Sequence, residues 1–332
     1  MKTKNILLVA LLVLLTGLAS CKKDHDIPTG MVFNADVPTG AINGKFTINA
    51  SGNKVYFSKG NLQYRASTNT WQFAANQYDY IGSDNSNISQ NYSGWIDLFG
   101  WGTSGYHDAS DPYNVNYQPW STSTSTVNET YNYYGYGPST NMSSPNLTGS
   151  SANYDWGVYN AISNGGGQAG QWRTLTVEEW RWVLGPSSPN PGVNCRTSST
   201  VNGTPNARYA KAQVAGVHGV IVFPDSYTHP GVVAQPVGIN ETGNTGWNGN
   251  NYSATDFGLM QENGAVFLPA AGYRNGTSVN IVGSIGYYWS ASYSISYGAW
   301  HVYFDDSGLS TVSYDYINRY YGFSVRPVCS AQ

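Results

Sequence analysis

From Arg65 to Arg173 the chain passes no lysine or arginine. The interval is rich in Asn, Ser, Tyr and Gly. Its one strongly apolar island is Gly94-Trp-Ile-Asp-Leu-Phe-Gly-Trp-Gly102. A structureless loop of that length is unusual inside a compact domain. Trp95, Phe99, Trp101, Trp120 and Trp156 therefore predict that the interval folds back and packs. The 332-residue chain shares this character, with 11% charged residues against roughly 25% in an average soluble protein, and 14% aromatics. Disordered chains are poor in aromatics and β-branched residues, so disorder is excluded. Glycine has no three-residue period, which excludes collagen. Ala, Glu, Lys and Leu do not dominate, which excludes a coiled coil. The net charge is −3 and no basic cluster lies beyond residue 23, so nucleic acid is not an expected partner.

The first 20 residues read as a leader. Lys2 and Lys4 precede the run Ile6-Leu-Leu-Val-Ala-Leu-Leu-Val-Leu-Leu15 and the small residues before Cys21. The run is shorter than the roughly 20 residues a spanning helix needs. Leu18-Ala19-Ser20-Cys21 resembles a bacterial lipobox, which implies cleavage before Cys21 and lipidation of that cysteine. Lys22-Lys23-Asp24-His25-Asp26 resembles the charged export tag of Bacteroidota lipoproteins, and a solvated tether has the same composition. The expected organisation is a signal peptide over 1–20, a tether over 21–44 and one domain over 45–332. The expected location is the outer membrane, lipid-anchored and facing outward, with the membrane touched through the anchor only. Cys195 and Cys329 are the remaining cysteines. An exported compartment permits a bridge between them, and two free thiols fit equally well.

Strand-like runs dominate the rest. Gly44-Lys45-Phe46-Thr47-Ile48 and Lys54-Val-Tyr-Phe-Ser58 suggest a hairpin, and Asn61-Leu-Gln-Tyr-Arg65 and Thr70-Trp-Gln-Phe73 continue the pattern. Thr176-Val-Glu-Glu179 is a capping box, with Trp180, Val183 and Leu184 on one face and Gly185-Pro186 as a stop. A second helix is expected over 254–262. Val217-His-Gly-Val-Ile-Val-Phe223 and Gly264-Ala-Val-Phe-Leu268 read as buried strands. The fold class expected is α+β, β-rich, with long irregular loops and a few short helices.

Several runs in order resemble the Fibrobacter succinogenes major paralogous domain of Bacteroidota lipoproteins. They are Val55-Tyr-Phe-Ser-Lys-Gly-Asn-Leu-Gln63, Gly170-Gln-Trp-Arg-Thr-Leu-Thr176 and Gly219-Val-Ile-Val-Phe-Pro-Asp225. Further along come Val266-Phe-Leu-Pro-Ala-Ala-Gly272, Gly286-Tyr-Tyr-Trp-Ser-Ala-Ser292 and Tyr321-Gly-Phe-Ser-Val-Arg-Pro-Val328. The resemblance spans roughly residues 44–328 and implies a C-type lectin-like fold, related to the formylglycine-generating sulfatase-modifying fold. In that fold Trp289 and a turn at Gly286 would anchor one strand. Arg326 would be a buried structural arginine paired with a carboxylate.

The resemblance does not carry enzymatic chemistry across. Formylglycine-generating relatives use paired cysteines near the C-terminus, whereas this tail holds Cys329 alone. Gln235-Pro236-Val237 and Trp247-Asn248-Gly249 lack the oxygen ligands of a lectin Ca²⁺ site. His218 and His301 read as satisfied structural residues, and Asp305-Asp306 as a turn. No metal or cofactor is expected.

One constellation stands out, over residues 284–321. Its candidate ligand-binding residues are Tyr293, Ser294, Ser296, Tyr297, Trp300, Tyr303, Asp305, Ser313, Tyr314, Asp315, Tyr316, Asn318 and Tyr320. Tyr supplies amphipathic contact area at low entropic cost, and Ser and Asn add adaptable hydrogen bonds. Tyr rings also match the apolar faces of sugars. The expected function is non-enzymatic recognition of an extracellular protein or glycan. A formylglycine-generating-type enzyme and a structural coat component are the alternatives. The alphabet of 293–298 and 313–318 also resembles the variable segments of diversity-generating retroelements. A near-repeat of the tail and a reverse transcriptase in the neighbouring DNA would accompany such a system.

Overall fold

The first apolar alternation is already a strand. β1 (Ala41–Thr47) buries Ile42 and Phe46, begins ahead of the expected boundary at residue 45, and pairs antiparallel with β2 (Lys54–Ser58). On the far edge of β2 lies β15 (Val328–Ala331), so the last strand closes the first sheet. β3 (Leu62–Arg65) and β4 (Thr70–Phe73) form a hairpin, its turn set by Asn69 at φ 46°. β5 (Tyr209–Val214) and β6 (Val217–Val222) are joined by Ala215 and Gly216, both at positive φ, as a tight two-residue hairpin requires. β7 (Asn251–Tyr252) and β8 (Val266–Pro269) complete the order β7-β5-β6-β8. A small ribbon of β9 (Tyr273–Asn275) and β10 (Ser278–Asn280) follows. The last sheet contains the two longest strands, β11 (Ile285–Tyr293) and β12 (Gly298–Asp305), with β13 (Leu309–Ser310) and β14 (Ile317–Asn318) on the outer edge of β12.

This computed structural model describes residues 37–106, 117–122, 124, 146–185, 195–243, 245–294, 298–310 and 317–331. One compact unit runs from Asp36 to Gln332, and its architecture is β-rich α+β. Cys21 and the segment expected to be leader and tether fall, up to residue 36, outside the described residues. Among the described residues no helix is long and apolar enough to cross a membrane.

Among the described residues three α-helices punctuate the strands: α1 (Trp156–Tyr159), α2 (Val177–Leu184) and α3 (Ala254–Glu262). The capping box on α2 is complete. Thr176 Oγ1 accepts from Glu179 N at 3.3 Å, and Glu179 Oε2 accepts from Thr176 N at 2.8 Å. Ser292 Oγ of β11 accepts a further first-turn amide, from Val177 N at 3.0 Å. Gly185 ends the helix at φ 86°.

The described part of the Arg65–Arg173 interval reaches the core through its large aromatic residues. Phe99, Trp101 and Trp156 are fully buried, in one cluster with Trp71, Trp172, Trp289 and Phe323. The indoles find carbonyls. Trp101 Nε1 donates to Ser290 O at 2.8 Å, and Trp289 Nε1 donates to Phe99 O at 2.6 Å. The interval and the C-terminal sheet are therefore built into each other.

Two expectations from the tail motif are corrected. Gly286 is not at a turn. It lies inside β11, where an added Cβ would meet the Phe304 ring at 2.1 Å, so the close approach of an aromatic ring requires glycine. Arg326 is buried, but its partners are amides and not a carboxylate. It donates to Asn61 Oδ1 at 3.3 Å and to Gln77 Oε1 at 2.5 Å. Asn61 in turn donates to Tyr288 Oη, which donates to Pro269 O. Gln77 also accepts from Phe267 N at 2.8 Å. This chain of polar groups ties five segments together.

Candidate ligand-binding face

β11 and β12 pair antiparallel, so side chains alternate between two faces of one sheet. Tyr288, Val302 and Phe304 enter the main core, together with Phe57, Trp180 and Val220. Tyr287, Trp289, His301 and Tyr303 fall on the other face, with Tyr287 opposite Tyr303 and Trp289 opposite His301. Phe323 covers the inner half of that face. Its ring lies 4.3 Å from Trp289, 4.6 Å from Tyr287 in stacked geometry, and 5.4 Å from His301.

Around this seat runs a chain of half-buried tyrosines. Tyr303 and Tyr287 lie 5.3 Å apart, Tyr287 and Tyr273 5.7 Å, Tyr273 and Tyr321 5.4 Å, and Tyr321 and Tyr320 4.8 Å. The first three contacts are edge-to-face and the last is stacked, both favoured geometries for aromatic pairs. Burial pushes the phenols of Tyr287 and Tyr321 up to about 12, and raises Tyr303 as well. All three stay protonated at neutral pH. The face thus offers apolar rings and neutral hydroxyls.

The sequence-predicted residues divide sharply. Tyr303 and Tyr320 belong to the chain of rings, and Asn318 borders it, its Nδ2 donating to Tyr320 Oη at 3.2 Å. Tyr293 is half-buried at the far end of β11, where its backbone amide donates to Asn146 Oδ1 at 2.9 Å. Trp300 lies on the opposite face, with the Arg181 guanidinium of α2 5.6 Å from its ring. Ser294 is buried, its amide donating to Gly298 O at 3.1 Å. Asp305 is occupied internally: it accepts from the Tyr303 hydroxyl, from Ser307 N and Oγ at 2.8 Å, and from Gly308 N at 2.7 Å. Burial works against ionisation there, yet these donors hold its carboxyl below the usual range. Asp305 shapes the β12–β13 turn. Ser296, Tyr297, Ser313, Tyr314, Asp315 and Tyr316 lie outside the described residues.

Sequence reasoning missed Tyr273 as a member of the face. It comes from β9, and no local signal links it to β11. Tyr287 and Tyr321 lay within the Tyr-rich stretch but were not among the candidate residues. Strand alternation after Trp289 would have found Tyr287.

Residues 247–328 match a domain of unknown function, DUF8237. The matched stretch contains every ring of the face, from Tyr273 to Phe323, and stops where β15 begins. No curated protein and no solved structure matches the chain.

Other groups with chemical capacity are placed as follows. Cys195 and Cys329 are free thiols. Cys329 sits opposite Tyr56 in the first sheet, and burial pushes its thiol up to about 12. His218 Nδ1 lies 2.8 Å from Gly283 O, and its ring stacks on Trp247. His301 meets the expectation of a satisfied histidine only in part, with a hydrogen bond to the Ala299 backbone. It is 2% exposed, its Nδ1 has no hydrogen-bond partner, and burial lowers its pKa to about 4. Among the described residues no three His, Cys, Asp or Glu side chains gather as a metal site.

Proposed function

We propose that this protein is a lipid-anchored recognition protein of the outer cell surface. It binds an extracellular protein or glycan through the tyrosine face of its C-terminal sheet, without catalysing a reaction. The observation that carries this reading is the run of five half-buried rings, Tyr303, Tyr287, Tyr273, Tyr321 and Tyr320, held in mutual contact. Such a surface is pre-organised. Its rings lose little freedom when a ligand arrives, so little binding energy goes to ordering them. The buried, high-pKa thiol of Cys329 supports the non-enzymatic reading, because a thiol needs its thiolate form to act as a nucleophile or metal ligand. Lipidation of Cys21 rests on the lipobox resemblance.

Whole-cell and glycan-array binding of wild type, Tyr303→Ala, Tyr320→Ala and Trp300→Ala tests the face. Binding should fall tenfold or more in the two tyrosine variants and hold in Trp300→Ala, whose ring is on the other side of the sheet. Equal binding by all four proteins would refute the assignment. Labelling with a palmitate analogue should mark the wild type and miss Cys21→Ser.

A further inference from the structure

The Arg65–Arg173 interval does more than pack. Where it folds back on the β3–β4 hairpin it leaves a cleft of about 420 Å³, within the range of small-ligand sites. Five separate segments supply its wall: the end of β3 with the turn after it, residues 90–91, 104–105 and 118–120, and the end of α1. None of the lining residues is charged.

We propose that this cleft binds a neutral saccharide. Five carboxamides line it, from Asn69, Gln90, Asn91, Gln118 and Asn160, alongside the rings of Trp120 and Tyr159. A carboxamide presents a donor and an acceptor side by side, which matches neighbouring sugar hydroxyls. An aromatic ring matches the C–H face of a pyranose. An uncharged wall gives no electrostatic preference to anions or cations, so the ligand it suits is polyhydroxylated and neutral.

The wall is partly fixed before any ligand arrives. Asn160 Nδ2 donates to Ser104 O at 2.9 Å and to Trp156 O at 3.0 Å, which leaves its Oδ1 for a ligand hydroxyl. Asn69 Oδ1 accepts from Tyr64 Oη at 3.1 Å, which leaves its amide donors. The side chains of Gln90, Asn91 and Gln118 have no hydrogen-bond partner among the described residues and complete the set. Tyr159 is 43% exposed, and its ring is braced edge-on by Tyr106 at 5.2 Å. A large exposed ring with a fixed orientation is a stacking platform. The Arg65 guanidinium lies 4.2 Å from the Trp95 ring and is not part of the lining.

This site is separate from the tyrosine face and does not depend on it. Affinity electrophoresis and calorimetry of the whole protein with dextran, mannan, laminarin and xylan test it, with heparin and polygalacturonate as anionic comparators. At least one neutral polysaccharide should retard the wild type, and the anionic ones should not. Tyr159→Ala and Trp120→Ala should each weaken that binding tenfold or more, and Gln118→Ala several-fold. Tyr303→Ala should leave it unchanged. Because Tyr159 and Gln118 are not buried, their variants should melt with the wild type. Retardation by the anionic polymers alone, by none of the polymers, or by a neutral polymer whose binding survives Tyr159→Ala and Gln118→Ala would overturn the proposal.

Discussion

Three buried ionisable residues give this protein a pH response of mixed sign. Asp97 accepts from Ile81 N and Asn85 Nδ2, both at 2.8 Å, and Asp155 accepts from Thr174 N at 2.7 Å. Burial outweighs these bonds and raises both carboxyls to about 6. The unfolded chain ionises near pH 3.9, so each acid contributes stability that is full below about pH 4 and is lost as the pH rises through about 6. His301 works the other way. Its folded pKa lies below the unfolded value near 6.5, so its contribution is full above about pH 6.5 and is lost as the pH falls toward 4. Urea midpoints measured from pH 4 to 7 should separate the two. Asp97→Asn should remove a gain on acidification on the order of 3 kcal/mol, and His301→Leu should remove a loss of similar size. If both variants keep the wild-type slope, neither residue is a titrating group of the fold.

At the scale of elements, the caps and turns were legible because their determinants are contiguous. Thr176 and Glu179 sit three positions apart and satisfy each other's amides, and α3 runs over the residues its own cap and stop define. Strand alternation was also legible in principle. Trp300 and Tyr303 differ by three positions, which in one strand places them on opposite faces. Treating the Tyr-rich tail as one surface ignored that parity. The register shift between Trp289 and Tyr293 was not legible, since an irregular pairing depends on the partner strand. Gly286 offers an element-scale prediction. Gly286→Ala drives a methyl into the Phe304 ring and should cost about 1–3 kcal/mol in chemical denaturation. Gly52→Ala, which meets nothing nearby but sits at φ 79°, should lose stability through backbone strain alone.

For the whole molecule, the described part of the interval without Lys or Arg and the C-terminal sheet share a single core. Trp156 is fully buried, and its ring lies 6.2 Å from Phe99, which bridges to Phe323. Trp156→Ala should therefore cost about 3–5 kcal/mol and lower one melting transition for the entire chain. Two separate transitions would show that the interval folds apart from the sheet. The residue sequence by itself determined strands β1 to β4, β6 and β8, the cap of α2, the β-rich class and the need for the Trp-bearing interval to be buried. Those features depend on neighbours a few positions away. Tertiary structure alone decided that Arg326 bonds to amides, that Asp305 turns inward to its own loop, and that Tyr273 joins Tyr287 and Tyr321. It also made the cleft between five segments. Each of these is a contact between residues far apart in sequence, and backbone packing selects such partners where local pattern cannot.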